Sequence, residues 1–214
     1  MTILKRFHDQ RPELLRTLIL TAALALPLAL PIVGFAAGSA GTAKPERTET
    51  TQDCLKARLW DPETGKYVRF SEPVNGVWDA GIEKCVRPDK SSHLDSDTLY
   101  RAVRELAYAG RYGEAMDVLD QMPDRMDDRV LTYRGFTARK LGRLELADIY
   151  YDQAITRNPD NILARSYMGQ GKVAAGDKVA AIIRLREIQE RGGAGSWAEA
   201  SLRSAIETGT GYSY

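Results

Sequence analysis

Apolar and polar positions follow three different patterns along the chain. Residues 17–43 form an apolar run, dense in Leu and Ala, that holds no charged residue. Residues 54–88 alternate apolar and polar positions over short stretches, as half-buried strands do. From residue 95 onward apolar positions recur at intervals of three and four, which is typical of amphipathic helices. The chain therefore predicts a hydrophobic segment, a small β module and a helical region, in that order.

The apolar segment, residues 17–43, reaches the roughly 20 residues that span a bilayer. It follows the basic residues 1–16 and ends in small residues near Ala40 and Ala43, as secretory signal peptides do. Two alternatives stay open for residues 1–43: cleavage after Ala40 or Ala43, or retention as a single membrane anchor. Lys and Arg stay on the cytoplasmic side, so both alternatives place the remaining chain outside the cytoplasm. We expect a protein of the bacterial periplasm, soluble after cleavage or anchored in the inner membrane.

A small disulfide-linked module is predicted between a linker and the helices. Residues 44–53 are polar and lack an apolar period, which predicts an exposed linker. Residues 54–88 hold turn signals at residues 61–65 and at Asn75–Gly76, where we expect Gly76 to adopt a positive φ. They also hold the only two cysteines, Cys54 and Cys85. An even number of cysteines in an exported chain favours a disulfide over two free thiols. The module is therefore predicted to be β-hairpins joined by that bond.

Four aromatic residues of the module allow two interpretations. They are Trp60, Tyr67, Phe70 and Trp78. In a module of this size aromatic side chains more often form the core. The alternative is an exposed platform for a carbohydrate or a peptide.

The helical region repeats itself. Glycines recur at Gly110, Gly142 and Gly176, and an alanine stands five positions after each glycine, at Ala115, Ala147 and Ala181. A nearly constant spacing of this kind indicates a repeated supersecondary unit. The region therefore holds three copies of a unit of about 34 residues. The copies cover residues 96–127, 128–161 and 162–193.

This unit resembles the tetratricopeptide repeat (TPR), a helix–turn–helix of about 34 residues with small residues where its two helices cross. The second copy carries the family's pattern most fully, with Gly135 at the crossing, Tyr151 on the second helix and Pro159 near the end. The third copy departs from the pattern at Arg165, where the family favours a bulky apolar residue. The resemblance implies a mainly α fold, a TPR-like helical-hairpin array over residues 95–208.

A further helix is predicted to close the array. Ser196 and Glu199 have the spacing of a capping box, in which each side chain bonds a backbone N–H near the helix start. We expect this C-terminal capping helix to turn Trp197, Leu202 and Ile206 toward the third copy. Such a helix would cover the apolar side that a terminal repeat leaves exposed.

Charge and residue types exclude several functions. Residues 1–16 hold four of the 30 Lys and Arg residues and two of the 29 Asp and Glu residues, which leaves a balanced remainder of 26 and 27. This balance predicts no nucleic-acid partner. Beyond the apolar segment His93 is the only histidine, and it lies in a polar linker. We therefore expect no enzyme activity, no metal site and no cofactor.

The resemblance also implies a binding site. Peptides bound by TPR proteins lie in a concave groove formed by the first helix of each copy. The groove positions of the family correspond here to Tyr100, Arg104, Tyr108, Arg129, Thr132, Phe136, Arg139, Lys140, Ser166 and Gln170. This set is aromatic and basic, which would suit an acidic or C-terminal peptide. The alternative is that these residues are merely solvated or take part in packing.

Two functional hypotheses follow. The first is an extracytoplasmic adaptor or scaffold of the cell envelope that binds another protein or peptide through this groove. In the anchored form it would also contact the membrane through its N-terminal segment. The alternative is a ligand-binding or catalytic role of the Cys54–Cys85 module, with the repeats as support.

Overall fold

The computed structural model describes residues 48–89 and 94–211. The predicted signal or anchor segment, most of the predicted linker and His93 lie outside these ranges. The described residues belong to one compact unit. They fold into a small sheet followed by seven α-helices, which confirms the predicted mainly α fold with a small β module. Within the described ranges, every helix is too short or too polar to cross a bilayer.

The β module is a four-stranded sheet with the strand order β2-β1-β4-β3. The central strand β1 pairs antiparallel with β2 and parallel with β4, and β3 pairs antiparallel with β4. The strands are β1 (Leu55–Asp61), β2 (Lys66–Asn75), β3 (Val77–Asp79) and β4 (Lys84–Val86).

Gly76 lies between β2 and β3, but it does not have the positive φ that was predicted. Its φ is not positive, unlike that of Gly65 in the β1–β2 turn. A Cβ at Gly76 would instead lie 2.8 Å from Leu59 Cδ2 and 3.0 Å from the Val86 carbonyl oxygen. The absence of a side chain, and not conformational freedom, is what this position requires.

The predicted disulfide is confirmed. Cys54 and Cys85 are bonded, with their Cα atoms 5.4 Å apart. Both lie in a small buried cluster with Leu59, against which Phe70 and Trp78 pack. Closing a loop of this length stabilises a fold by about 3–4 kcal/mol in the chain-entropy estimate. The disulfide therefore supplies stability that the small hydrophobic core of this sheet cannot supply.

The helices form three consecutive hairpins and one last helix. Within each hairpin the two helices pack together, and the first helices also lie beside one another along the array. Among the described residues, neighbouring second helices have few or no contacts with each other. The hairpins are α1 (Ser96–Tyr108) with α2 (Tyr112–Asp120), α3 (Asp128–Lys140) with α4 (Leu144–Arg157), and α5 (Ile162–Ala174) with α6 (Lys178–Ile188), followed by α7 (Trp197–Thr208).

The repeated glycines make the turn inside each hairpin. Gly110, Gly142 and Gly176 all have φ between 77° and 82°. After Gly110, the Arg111 N–H donates to the Leu106 carbonyl at 2.9 Å, and the other two turns contain the same bond. This is the left-handed helix end that only glycine adopts without strain.

Each first helix begins with a side-chain cap. Asp95, Asp127, Asn161 and Ser196 each accept a hydrogen bond from a backbone N–H in the first turn. Each of these caps follows the one before it by about one repeat, so α7 begins where the first helix of a fourth unit would begin. Glu199 accepts from the Gly195 N–H at 2.7 Å, one residue before the position expected in a capping box.

The helices cross closely at glycines, which have no side chain. A Cβ at Gly135 would lie 2.5 Å from Tyr151 Cε1, so this glycine lets α3 and α4 approach closely. The equivalent Gly169 meets Leu202 of α7 at 2.7 Å rather than its own hairpin partner. The last helix therefore approaches α5 closely at Gly169, as α4 approaches α3 at Gly135.

Arg165 is buried where a bulky apolar residue was expected. Its side chain is only 3% exposed and donates to Glu187 at 3.2 Å and to the Asn161 carbonyl at 3.1 Å. An ion pair joining α5 to α6 thus replaces the apolar contact. Removing one member of such a buried pair would leave an uncompensated charge.

The β module packs against the first hairpin. Val77 and Val86 share a core cluster with Leu99 and Val103. Thr51, in the linker that was expected to be exposed, is buried instead, and its N–H donates to Glu105 of α1 at 2.9 Å. The sheet thus covers a side of α1 that would otherwise be exposed, just as α7 covers α5.

Candidate functional site

The ten predicted groove residues lie on α1, α3 and α5, but only part of the set is accessible. Arg104 and Arg129 are exposed, and the side chains at positions 100, 108, 139 and 140 are half-buried. Thr132, Phe136, Ser166 and Gln170 are buried. The accessible side chains Tyr100, Arg104, Tyr108, Arg129, Arg139 and Lys140 are called the basic–aromatic face below.

Thr132 is used for packing between hairpins. Its hydroxyl donates to the Asp128 carbonyl at 2.6 Å and accepts from the Asn161 side chain at 2.9 Å. The Asp128 carboxylate accepts from the same Asn161 side chain at 2.7 Å and from Asn158 at 2.8 Å. These bonds hold the start of α3 to the α4–α5 loop.

Ser166 and Gln170 are covered by α7. The Ser166 and Ser201 hydroxyls lie 3.0 Å apart, and the Gln170 amide donates to Ser166 at 3.4 Å. Both α5 residues are fully buried. The last helix therefore occupies the surface along which the groove would continue, and the accessible face ends near α5.

An aromatic cluster supports the face from below. Tyr133 and Phe136 of α3 and Tyr167 of α5 are fully buried. The Tyr108 hydroxyl lies 2.5 Å from that of Tyr133 and 3.2 Å from that of Tyr167. Burial, with a smaller contribution from Tyr108, raises the pKa of Tyr133, so the Tyr133 hydroxyl stays protonated. These aromatic rings pack against one another and form a buried layer beneath the basic–aromatic face, called the floor from here on.

Cationic side chains lie over these rings. Arg104 lies over Tyr108 with 5.7 Å between the guanidinium carbon and the ring centroid, and Arg129 lies over Tyr100 at 5.1 Å. Arg139 and Lys140 both lie over Phe136, at 5.6 and 5.7 Å. Each contact contributes about 0.5–1 kcal/mol at an exposed site and restricts where the charge can move.

The face carries uncompensated positive charge. Arg129 forms ion pairs with Asp97 at 3.1 Å and with Asp127 at 3.2 Å. Among the described residues Arg104, Arg139 and Lys140 form no ion pair. Burial, and then the neighbouring Arg139, lower the pKa of Lys140, as expected for a cation crowded by another cation.

Arg139 also has unused hydrogen-bond donors. Its Nε and Nη2 atoms are buried, and neither has an acceptor within residues 48–89 and 94–211. Gly171 makes room for this side chain, because a Cβ there would lie 3.1 Å from Arg139 Cδ. The Tyr151 hydroxyl is also buried beside Arg139: burial raises its pKa to about 12, and the charge of Arg139 and hydrogen bonding to it oppose that rise. Donors buried without an acceptor are energetically unfavourable.

Sequence reasoning missed two aromatic residues of this region, Tyr133 and Tyr167. Tyr133 and Tyr167 supply hydroxyls to the floor, and Trp197 of α7 contacts Tyr167 edge-on with ring centroids 6.0 Å apart. Tyr133 and Tyr167 occupy the same position in consecutive copies, so the repeat period itself was a signal that the position matters. Leu202 and Ile206 pack into the core as predicted, and Trp197 contacts the third copy although it is 42% exposed.

The module places its four aromatic residues in two groups. Phe70 and Trp78 pack around the disulfide. Trp60 and Tyr67 meet edge-to-face, 5.2 Å apart, with Lys84 over Trp60 and Arg58 over Tyr67. The first group thus forms core, Trp60 packs partly buried against the main core, and Tyr67 lies at the surface of the sheet.

Comparisons with known proteins assign no family, because no family model matches the chain and no curated protein is significantly similar to it. The function is therefore argued from the surfaces themselves.

Proposed function

We propose that this protein is an extracytoplasmic adaptor that binds another protein through the basic–aromatic face of a TPR-like array. The observation that carries the proposal is the row of cations on α1 and α3. Arg104, Arg139 and Lys140 are held over aromatic rings with no anionic partner in the described chain. A peptide with a carboxylate and apolar side chains would supply both the missing charge and contacts to the rings.

The proposed location rests on the chemistry of the two cysteines. A disulfide such as Cys54–Cys85 persists in oxidising compartments and is rare where thiols are kept reduced. This bond supports an extracytoplasmic site for the folded part, which is also what the apolar segment at residues 17–43 predicts. The periplasm, and cleavage or retention of the segment, belong to the proposal. Sequencing the N-terminus of the native protein distinguishes cleavage from retention.

Affinity capture tests the proposed face. The full chain serves as bait in an envelope extract, and bound proteins are identified by mass spectrometry. The variant combining Arg104→Glu and Lys140→Glu should lose any partner bound through the face, because it turns two uncompensated cations into anions. The control Arg157→Glu changes an exposed charge at the end of α4 and should retain the partner. Loss of the partner in both variants, or in neither, would contradict the proposed face.

The module remains a second candidate because Tyr67 is 49% exposed beside Arg58. In this alternative the module binds a ligand and the helices support it. Deleting the module would expose the side of α1 that it covers, so point variants are the better test. If Tyr67→Ala with Arg58→Ala abolishes partner capture while the Arg104 and Lys140 variant does not, the alternative is supported.

A further inference from the structure

The chain that follows α7 reaches back to the basic–aromatic face. α7 packs on α5, yet a Cβ built on Gly211 would lie 3.7 Å from Nη1 of Arg139, a side chain of α3. Arg139 extends toward this part of the chain across α5, where Gly171 leaves room for it. Gly211 is itself half-buried. The chain after α7 therefore lies beside one of the cations of the face.

Hydrogen bonds at the end of α7 fix the direction that the chain takes. Gly209 ends the helix with φ at 73°, and its N–H donates to the Ala205 carbonyl at 2.9 Å. The Thr208 and Thr210 hydroxyls lie 3.0 Å apart, and the Thr210 N–H donates to the Thr208 hydroxyl at 3.4 Å. A left-handed helix end of this kind reverses the direction of the backbone. The turn therefore brings the chain toward Arg139 rather than away from the array.

The residues at this position in the sequence suit the face chemically. Residues 209–214, called the segment after α7 below, read Gly-Thr-Gly-Tyr-Ser-Tyr and hold no Lys or Arg that the cations would repel. In an extended backbone, side chains two residues apart point to the same side, as those of Tyr212 and Tyr214 would. Aromatic rings bind guanidinium and ammonium groups and pack edge-to-face with other rings. Two such rings complement cations that are themselves held over Tyr108 and Phe136.

The distance to the face is short enough for this segment. Three extended residues span about 10 Å. The axes of packed helices lie about 8–10 Å apart. From Gly211, beside Nη1 of Arg139, the next three residues can therefore reach Lys140 and the Phe136 ring on α3.

From these observations we propose that the segment after α7 binds to the basic–aromatic face of its own chain, through Tyr212 and Tyr214 at Arg139 and Lys140. A tethered segment has an effective concentration in the millimolar range, so weak contacts hold it in place. A partner that binds the same face must displace the segment, a consequence that rests on the proposed function. The segment thus closes the face to ligands that bind more weakly than it does.

Photo-cross-linking tests where the segment binds. A benzophenone amino acid replaces Tyr212 in one chain and Tyr214 in another, and the full chain is purified in detergent with its N-terminal segment retained. Each chain is illuminated at about 1 µM, where weakly associating copies stay apart. Mass spectrometry maps the links, and we expect most of them on α1 or α3 of the same chain. Lys140→Glu should lower their yield at least about threefold, because a cation that binds the rings is lost.

The control is Arg157→Glu, an exposed charge at the end of α4, which should leave the links unchanged. Circular dichroism verifies that each variant is folded. Links that spread over α6 and α7, or that persist in the Lys140→Glu chain, would overturn the proposal. Links between two chains would overturn it as well, because the face would then bind a second copy.

Partner capture separates this inference from the proposed function. The variant combining Tyr212→Ser and Tyr214→Ser frees the face, so it should recover at least about threefold more partner from an envelope extract than the unmodified chain does. Equal recovery would overturn the competition between segment and partner. A chain that forms links to α1 or α3 yet captures no partner, with or without the two serines, would refute the proposed function and support the binding of the segment.

Discussion

Gly135 is predicted to be irreplaceable at the crossing of α3 and α4. An alanine there would place its Cβ 2.5 Å from Tyr151 Cε1 and 2.6 Å from Cδ1. The Tyr151 ring is fully buried, so it has little room to move aside. Overpacking of this kind costs about 1–3 kcal/mol. Alanine regains up to about 1 kcal/mol of helix propensity over glycine, so we expect a net loss of up to about 2 kcal/mol.

Urea unfolding of the purified chain, followed by circular dichroism with the disulfide intact, measures this loss. Gly113→Ala is the matched control, because this α2 glycine has nothing within 4 Å of an added Cβ. It should leave the free energy of unfolding unchanged or raise it by up to about 1 kcal/mol.

A double-mutant cycle tests the cause. In Gly135→Ala chains the change Tyr151→Leu should cost less than it does in the unmodified chain, with a coupling energy of about 1 kcal/mol. A Gly135→Ala chain as stable as the Gly113→Ala chain would refute the close-approach argument.

Three further predictions concern stability. Replacing Cys54 and Cys85 by alanine should lower the free energy of unfolding by about 3–4 kcal/mol, as should reduction of the unmodified chain, both measured by urea unfolding. The pKa of Glu187 is lowered: burial opposes this, but bonding to Arg184 and the charge of Arg165 outweigh it. The stability that ionised Glu187 gives the folded chain should therefore be complete above its unfolded-state pKa, about 4.3, and should be lost as pH falls through its lower pKa in the folded chain. Glu187→Gln should weaken this pH dependence of the free energy of unfolding, measured by urea titrations at several pH values. Asp128→Ala should cost about 1–3 kcal/mol in the same assay, because two asparagine side chains lose their acceptor.

Most local features were predictable from short stretches of sequence. The turns at Gly142 and Gly176 and the cap at Ser196 depend on backbone groups within a few residues, so their residue types identify them. The Cys54–Cys85 bond could be predicted because the chain has no other cysteine. The residues of the basic–aromatic face could be named from the resemblance to the tetratricopeptide repeat, whereas the four other predicted groove residues could not be recognised as buried.

The sequence by itself determined that three helical hairpins follow a small disulfide-linked module, because glycine turns, helix caps and apolar periods act locally. Only the tertiary structure decided which faces meet. It placed α7 over Ser166 and Gln170, brought Leu202 rather than α6 against Gly169, and left Ile149 and Ile183 exposed on the outer helices. The physical reason is that burial depends on contacts between residues distant in sequence, and the repeat period assigns each side chain a position without telling what covers it.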